Sequence, residues 1–324
     1  MDKIAVFTSG GDSPGMNACI RAVVRKALHE GVEVFGIMRG YQGMIEGDII
    51  PMYSNSVSNI IQRGGTILKS ARSKEFMTVE GRKKAHESLK KHGITHVVAI
   101  GGDGTFTGAS VFMKEFSGVD FIGIPGTIDN DLYGTDNCIG YDTALNTVVD
   151  AVDKIRDTAA SHDRLFIVEV MGKDAGFIAL RSGIAVGAEA ILVPETPTYT
   201  NALIEKLRKG LRNNKMSSII IVAEGDDSGG AYEVQKHIQQ HFDCFDTRVS
   251  ILGHIQRGGS PSAQDRVLAS RMGVAAVEAL LVGRKNEMVG IVNNQIQYTP
   301  FEQSVKHHLS INRSLLDLAE VLSH

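Results

Sequence analysis

Gly123-Ile124-Pro125-Gly126-Thr127-Ile128-Asp129-Asn130-Asp131 ends the apolar run 121–124 with a Pro-Gly break and two carboxylates. A short apolar run closed in this way reads as a buried strand feeding a polar turn. In an extended segment, the i, i+2 spacing of Asp129 and Asp131 points both side chains to one side. Like charges held together rarely favour folding. The useful arrangement is a general base beside a second carboxylate that orients a substrate or a metal. Upstream, Ile100-Gly101-Gly102-Asp103-Gly104-Thr105 also follows an apolar run. Two glycine-rich, aspartate-bearing turns at the ends of successive strands point to phosphate chemistry.

The same order of strand, polar turn and helix recurs outward from this centre. Strands are predicted at 4–7, 34–38, 96–100, 121–124, 165–170, 190–193, 218–223 and 249–252, with a hairpin of 289–292 and 295–298 across Asn293-Asn294. Helices are predicted at 18–30, 80–92, 108–115, 143–160, 201–212, 263–281 and 312–322. This alternation predicts an α/β fold: two doubly wound, Rossmann-like parallel-sheet domains with the active cleft between them. Functional polar residues then belong at the C-terminal ends of the strands. The first such turn, GGDSPGMN at 10–17, joins a strand to a helix and gathers backbone N–H groups suited to an anion. It is not a Walker A loop, because no Lys-Ser/Thr follows Gly15, and it is not GxGxxG. A plain tight βα connection is the alternative.

A chain of 324 residues suits two α/β halves rather than one simple core. Lys+Arg is 34 and Asp+Glu is 37, so the net charge of −3 offers no basic excess for nucleic acid or a membrane surface. No apolar run approaches transmembrane length. Cys19, Cys138 and Cys244 are odd in number and form no CxxC pair. That spacing argues against a disulfide framework or a thiol zinc site and fits a reducing cytoplasm. Strand-like 4–7 follows Met1-Asp2-Lys3 directly, which predicts no signal peptide.

Phosphoryl transfer from a nucleotide needs amides that hold phosphates, a carboxylate for Mg²⁺, a base for the acceptor proton, and cations. Gly11 and the run 102–105 can supply the amides. Asp103 is the Mg²⁺ candidate, with glycines on both sides leaving room for a hydrated ion. Asp129 is the base candidate, and Arg72 and Lys173 can meet phosphate oxygens. Arg164, Arg248, His254 and Arg257 are more cations than one nucleotide requires, so they suggest a second phosphate on the acceptor. Simpler roles compete: Asp103 as a helix cap, Arg257 as a surface cation, Tyr41 packing rather than stacking on a purine, His307-His308 as solvated neighbours.

GGDSPGMN at 10–17, GGDGT at 101–105, PGTIDND at 125–131, MGKDAG at 171–176 and GHIQRGGSP at 253–261 closely resemble the bacterial ATP-dependent 6-phosphofructokinase family. The resemblance covers essentially the whole chain, in order and at similar spacing. It implies discontinuous domains, with 1–140 plus 256–305 binding ATP and 141–255 plus 306–324 binding fructose 6-phosphate. By it, Asp129 accepts the proton of the sugar 1-hydroxyl, with Thr127, Asp131, Lys173 and Gly11 around the transferred group. Gly11, Tyr41, Arg72, Ser73, Gly102, Asp103, Gly104 and Thr105 contact ATP, with Asp103 on Mg²⁺. Thr127, Ile128, Asp129, Met171, Gly172, Lys173, Glu224, His254, Ile255, Gln256 and Arg257 contact the sugar phosphate. Arg164 and Arg248 match arginines that reach in from a neighbouring subunit, implying a homotetramer.

Arg21, Arg25, Arg156, Gly187, Glu189 and Lys215 match an effector site for ADP or phosphoenolpyruvate, with Glu189 as its metal contact. Ser54, Asn213 and Ser217 depart from it and predict weak effector control. Lys173 stands where the family usually has Arg, and a point charge cannot make the bidentate contact of a guanidinium. Pyrophosphate-dependent relatives typically carry Asp and Lys at the positions of Gly104 and Gly126, so both glycines favour ATP. Asp103 and Asp129 argue against a non-catalytic regulatory subunit. The missing GxGxxG argues against an NAD-binding oxidoreductase.

Overall fold

The computed structural model describes residues 3–160, 164–198, 200–212, 218–241, 246–304 and 311–322. Its strands are β1 Lys3–Thr8, β2 Glu33–Ile37, β3 Ile49–Met52, β4 His96–Gly101, β5 Asp120–Pro125, β6 Arg164–Val170, β7 Ala190–Leu192, β8 Ser218–Ala223, β9 Asp246–Ile251, β10 Glu287–Val292 and β11 Gln295–Pro300. Its helices are α1 Met16–His29, α2 Gly40–Glu46, α3 Val79–His92, α4 Asp103–Glu115, α5 Tyr141–Ala160, α6 Phe177–Ala185, α7 Thr200–Arg212, α8 Ala231–His241, α9 Ala263–Leu281, α10 Phe301–Ser304 and α11 Arg313–Leu322. The chain forms two compact units, Met1–Thr143 with Arg257–Leu309 and Ala144–Gln256 with Ser310–His324.

The first unit holds a seven-stranded sheet in the order β11-β10-β5-β4-β1-β2-β3. Strands β10, β5, β4, β1 and β2 run parallel, while β3 and β11 close the edges antiparallel. The side-chain period of two sends Ile4 and Val6 to one face and Ala5 and Phe7 to the other. Met16, Ile20 and Val24 of α1 and Met272 and Ala276 of α9 cover the first face. Leu89 of α3 and Phe106 and Phe112 of α4 cover the second. Burial on both faces is why these strands read as unbroken apolar runs. The β10–β11 turn places Asn293 and Asn294 at φ 48° and 63°, the left-handed pair that a two-residue hairpin needs.

The second unit holds a four-stranded parallel sheet in the order β7-β8-β6-β9. Leu165, Ile167, Ile220 and Val222 pack there against Leu203, Leu207, Val234 and Ile238 of α7 and α8.

Helices α2, α6, α8 and α10 and strand β3 are additions to the sequence reading. α6 buries Ile178, Ala179, Leu180, Ser182 and Gly183, so its sequence lacks the polar face that reveals an amphipathic helix. α4 begins at Asp103, five residues before its expected start at Gly108, because Gly102 serves as an extended N-cap. The start of α5 is capped from far away in sequence. Buried Asp265 of α9 accepts from Gly140 N at 2.8 Å, from Thr143 N at 2.8 Å and from the Thr143 hydroxyl at 2.5 Å. Burial pushes its carboxyl pKa up, and the Thr143 and Gly140 donors pull it back. Among the described residues, no helix is long and apolar enough to cross a membrane.

Candidate active site

In the first unit the parallel neighbours β1, β4 and β5 end at one level. Ser9 N donates to Ile100 O and Gly126 N to Gly101 O, both at 2.9 Å, so three polar turns lie side by side. Gly101 is required there: a Cβ would come within 2.3 Å of Thr105 Oγ1 and 2.7 Å of Ser9 O. The run 102–105 is a helix N-terminus; Thr105 N donates to Gly102 O at 2.9 Å, which leaves the N–H groups of Asp103 and Gly104 without an intrahelical acceptor and suited to an anion. Asp103 is the first helical residue; the cap position belongs to Gly102. Gly104 is exposed, and a Cβ on it would meet nothing within 4 Å.

The second turn corrects the expected extended geometry. Asn130 is left-handed at φ 54°, so Asp129 and Asp131 are not aligned as on a strand. Asn130 holds this bend itself: its Oδ1 accepts from Cys138 N at 2.6 Å and its Nδ2 donates to Asp136 O at 3.3 Å. Asp129 is half-buried, and its backbone N–H donates to Thr127 Oγ1 at 3.2 Å. Ile128 is fully buried. Thr127 Cβ lies 3.8 Å from where a Cβ on Gly102 would stand, which brings the two aspartate-bearing turns together.

Arg257 covers Gly11. Its Nη1 would lie 2.3 Å from a Cβ on Gly11, and it donates to Asp12 O at 3.2 Å.

Tyr41 supports the start of α4. Its ring is buried, stacks on Phe76 at 3.8 Å, and its hydroxyl donates to Thr105 O at 2.6 Å. Burial pushes its phenol pKa well up. Ser73 Oγ donates to Gln42 Oε1 at 2.7 Å and accepts from Phe76 N at 3.1 Å, while Arg72 is exposed. Tyr41→Phe is expected to lower stability by about 1 kcal/mol and to raise KM for ATP a few-fold, read by denaturant titration and steady-state kinetics.

In the second unit, Met171, Gly172, Lys173, Glu224 and His254 follow the C-terminal ends of β6, β8 and β9. Lys173 adopts a left-handed backbone at φ 56°, and Glu224 Oε1 accepts its N–H at 2.7 Å. Gly225 permits this, since a Cβ there would stand 2.0 Å from Lys173 O. Gln256 is fully buried, accepts from Met171 N at 3.2 Å and donates to Gly253 O at 3.0 Å. Those bonds pin the turn that exposes His254 and Ile255.

Arg164 and Arg248 lie at the opposite end of the same sheet, beside Asp246, which the sequence reading missed. Arg164 Nε and Arg248 Nη2 donate to Asp246 Oδ2 at 2.9 and 2.8 Å. Hydrogen bonding from Arg164, then the charge of Arg248, holds the Asp246 carboxyl below its usual range. At ~3.3 Å per residue, β6 separates Arg164 from Met171 by about 23 Å, too far for both to grip one sugar phosphate.

Among the effector candidates, Arg21 and Arg25 share one face of α1; burial and then the charge of Arg25 lower the Arg21 pKa. Arg156 donates to the carbonyls of Val186 and Gly187. Glu189 is buried and accepts from Ile219 N. Lys215, Asn213, Ser217, Cys244 and His307-His308 lie outside the described residues.

Strand-end turns on parallel sheets, a helix N-terminus carrying Asp103, and a half-buried Asp129 beside it define an α/β phosphoryl-handling class. A sequence profile of the phosphofructokinase family matches residues 3–280, and the chain belongs to that family. It is 55% identical over 320 residues to ATP-dependent 6-phosphofructokinase 2 of Bacteroides thetaiotaomicron, covering 99% of this chain and 98% of the relative. It is 57% identical over 323 residues to ATP-dependent 6-phosphofructokinase 1 of Thermus thermophilus, with 100% of both covered. The solved phosphofructokinase from Saccharomyces cerevisiae superposes with a TM-score of 0.90 at 38% identity over 100% of this chain, which spans 48% of that one. A pyrophosphate-dependent phosphofructokinase from Marinobacter aquaeolei, at 23% identity and a TM-score of 0.83 over 99% of this chain and 91% of its own, shares the fold.

Proposed function

We propose that this protein transfers the terminal phosphoryl group of MgATP to the 1-hydroxyl of fructose 6-phosphate, giving fructose 1,6-bisphosphate and ADP. The observation that carries this reading is half-buried Asp129, on a turn that lies beside the N-terminus of α4. Relatives named for the ATP-dependent activity, at 55% and 57% identity over the whole chain, support it.

Asp129 takes the proton of the 1-hydroxyl as its oxygen bonds the terminal phosphorus and the bond to ADP breaks. Amides at Gly11 and the start of α4 receive phosphate oxygens, and Arg72 and Lys173 offset their charge. Met171, Glu224, His254 and Arg257 hold the sugar phosphate. No group of three or more potential metal ligands occurs among the described residues. Asp103 alone, half-buried beside the anion-holding amides, fits Mg²⁺, which commonly takes one or two carboxylates and completes its shell with substrate phosphates and water. When bound, Mg²⁺ neutralises charge on the triphosphate. Arg164, about 23 Å from Met171 along β6, and Arg248, opposite Phe166 on β9, serve the acceptor phosphate of another copy, and the working form is a homotetramer.

A product assay on fructose 6-phosphate with ATP and with pyrophosphate tests the activity. Product from ATP is expected; product from pyrophosphate alone would overturn the donor assignment.

Regulation by ADP or phosphoenolpyruvate is expected to be weak. Ser54, Asn213 and Ser217 replace phosphate partners. One charge-assisted contact is worth about 1.5–3 kcal/mol, and whole couplings are about 1–3 kcal/mol. Titrating half-saturation for fructose 6-phosphate with each effector checks this; a shift of about a hundredfold or more would show a working effector site.

A further inference from the structure

We propose that Asp246 is a positioning residue for the acceptor: its carboxylate holds Arg164 and Arg248 as one clamp for the sugar 6-phosphate. This rests on the functional reading above and extends it to a residue outside the motifs. The register explains the cluster. Arg164 pairs directly with Asp246, and Phe166 pairs with Arg248. Asp246 and Arg248, two residues apart on a strand, therefore share a face, with Arg164 opposite. β9 is an edge strand, so the cluster stands at the border of the sheet.

Both bonds end on the same oxygen, Asp246 Oδ2, and spend one donor nitrogen of each arginine. A guanidinium has five N–H donors, so most of each fork can serve a further anion. Two guanidiniums side by side repel, and the carboxylate offsets that repulsion. The trio keeps one net positive charge, suited to a phosphate monoester. The side chains of Arg164, Asp246 and Arg248 are 27%, 44% and 54% exposed, and ion pairs this open contribute little to folding. A role in holding the arginines for a ligand accounts for the shared oxygen better than stability does.

Asp246→Asn keeps the shape and removes the charge. KM for fructose 6-phosphate is expected to rise about tenfold, the scale of one weakened charge-assisted contact, with a smaller fall in kcat and KM for ATP nearly constant. Asp246→Glu should recover most of the loss. In an Arg248→Ala background, Asp246→Asn should add little, because part of the clamp is already gone. An unchanged or lower KM for fructose 6-phosphate would overturn the proposal, as would an equal rise in KM for ATP, which reports general damage. Wild-type protein inactive on fructose 6-phosphate with either donor removes the functional reading and this inference together. An active wild type with an indifferent Asp246→Asn removes this inference alone.

Discussion

Asp129→Asn is expected to lower turnover by about 10²–10⁴ while leaving the fold and substrate binding in place. The amide matches the carboxylate in size but cannot accept the hydroxyl proton as a base. The local backbone should survive, because the Asn130 side chain and the Asp129 N–H to Thr127 Oγ1 bond hold the bend, not the Asp129 carboxylate alone. Steady-state kinetics with circular dichroism as the folding control decide it. An Asn variant turning over near the wild-type rate would sink the assignment of the base.

Gly104→Asp should weaken ATP use by about ten- to a hundredfold, through a second carboxylate set beside Asp103 where the nucleotide phosphates are expected. The side chain itself fits, since nothing lies within 4 Å of a Cβ at this exposed position. The companion change Gly126→Lys is a poor test. Gly126 is buried, and a Cβ there would already meet Ile100 Cγ2 at 3.0 Å and Met16 Cε at 3.2 Å. A lysine would disturb the core and confuse donor choice with folding, so the single variant isolates the effect. An unchanged KM for ATP would show that Gly104 is not the donor filter. Pyrophosphate use need not appear, because it requires a reorganised site.

Much of this was legible because buried parallel strands are apolar on both faces. Their ends stand out wherever glycine and aspartate interrupt an apolar run, as at Gly101 and Gly126. Periodicity failed where burial removes it. α6 is apolar nearly all round and left no stripe to read. The first crossing between the units left no trace in composition either, because it falls inside α5, between Thr143 and Ala144, rather than in a linker.

The sequence by itself determined which residue types stand at the strand ends, and so the class of chemistry: Asp103, Asp129 and the glycines beside them are local, contiguous motifs. Tertiary structure alone decided which of these side chains are buried against distant partners. Tyr41 turned inward because Phe76, 35 positions away by the numbering, offers its ring a stacking face and Thr105 offers its hydroxyl an acceptor. Gln256 became a pin because its amide meets Met171, 85 residues distant. Asp246 gained Arg164, 82 residues earlier in the chain, through strand register. Such pairings join residues far apart in the chain, and no local pattern encodes a partner that only folding brings within hydrogen-bond reach.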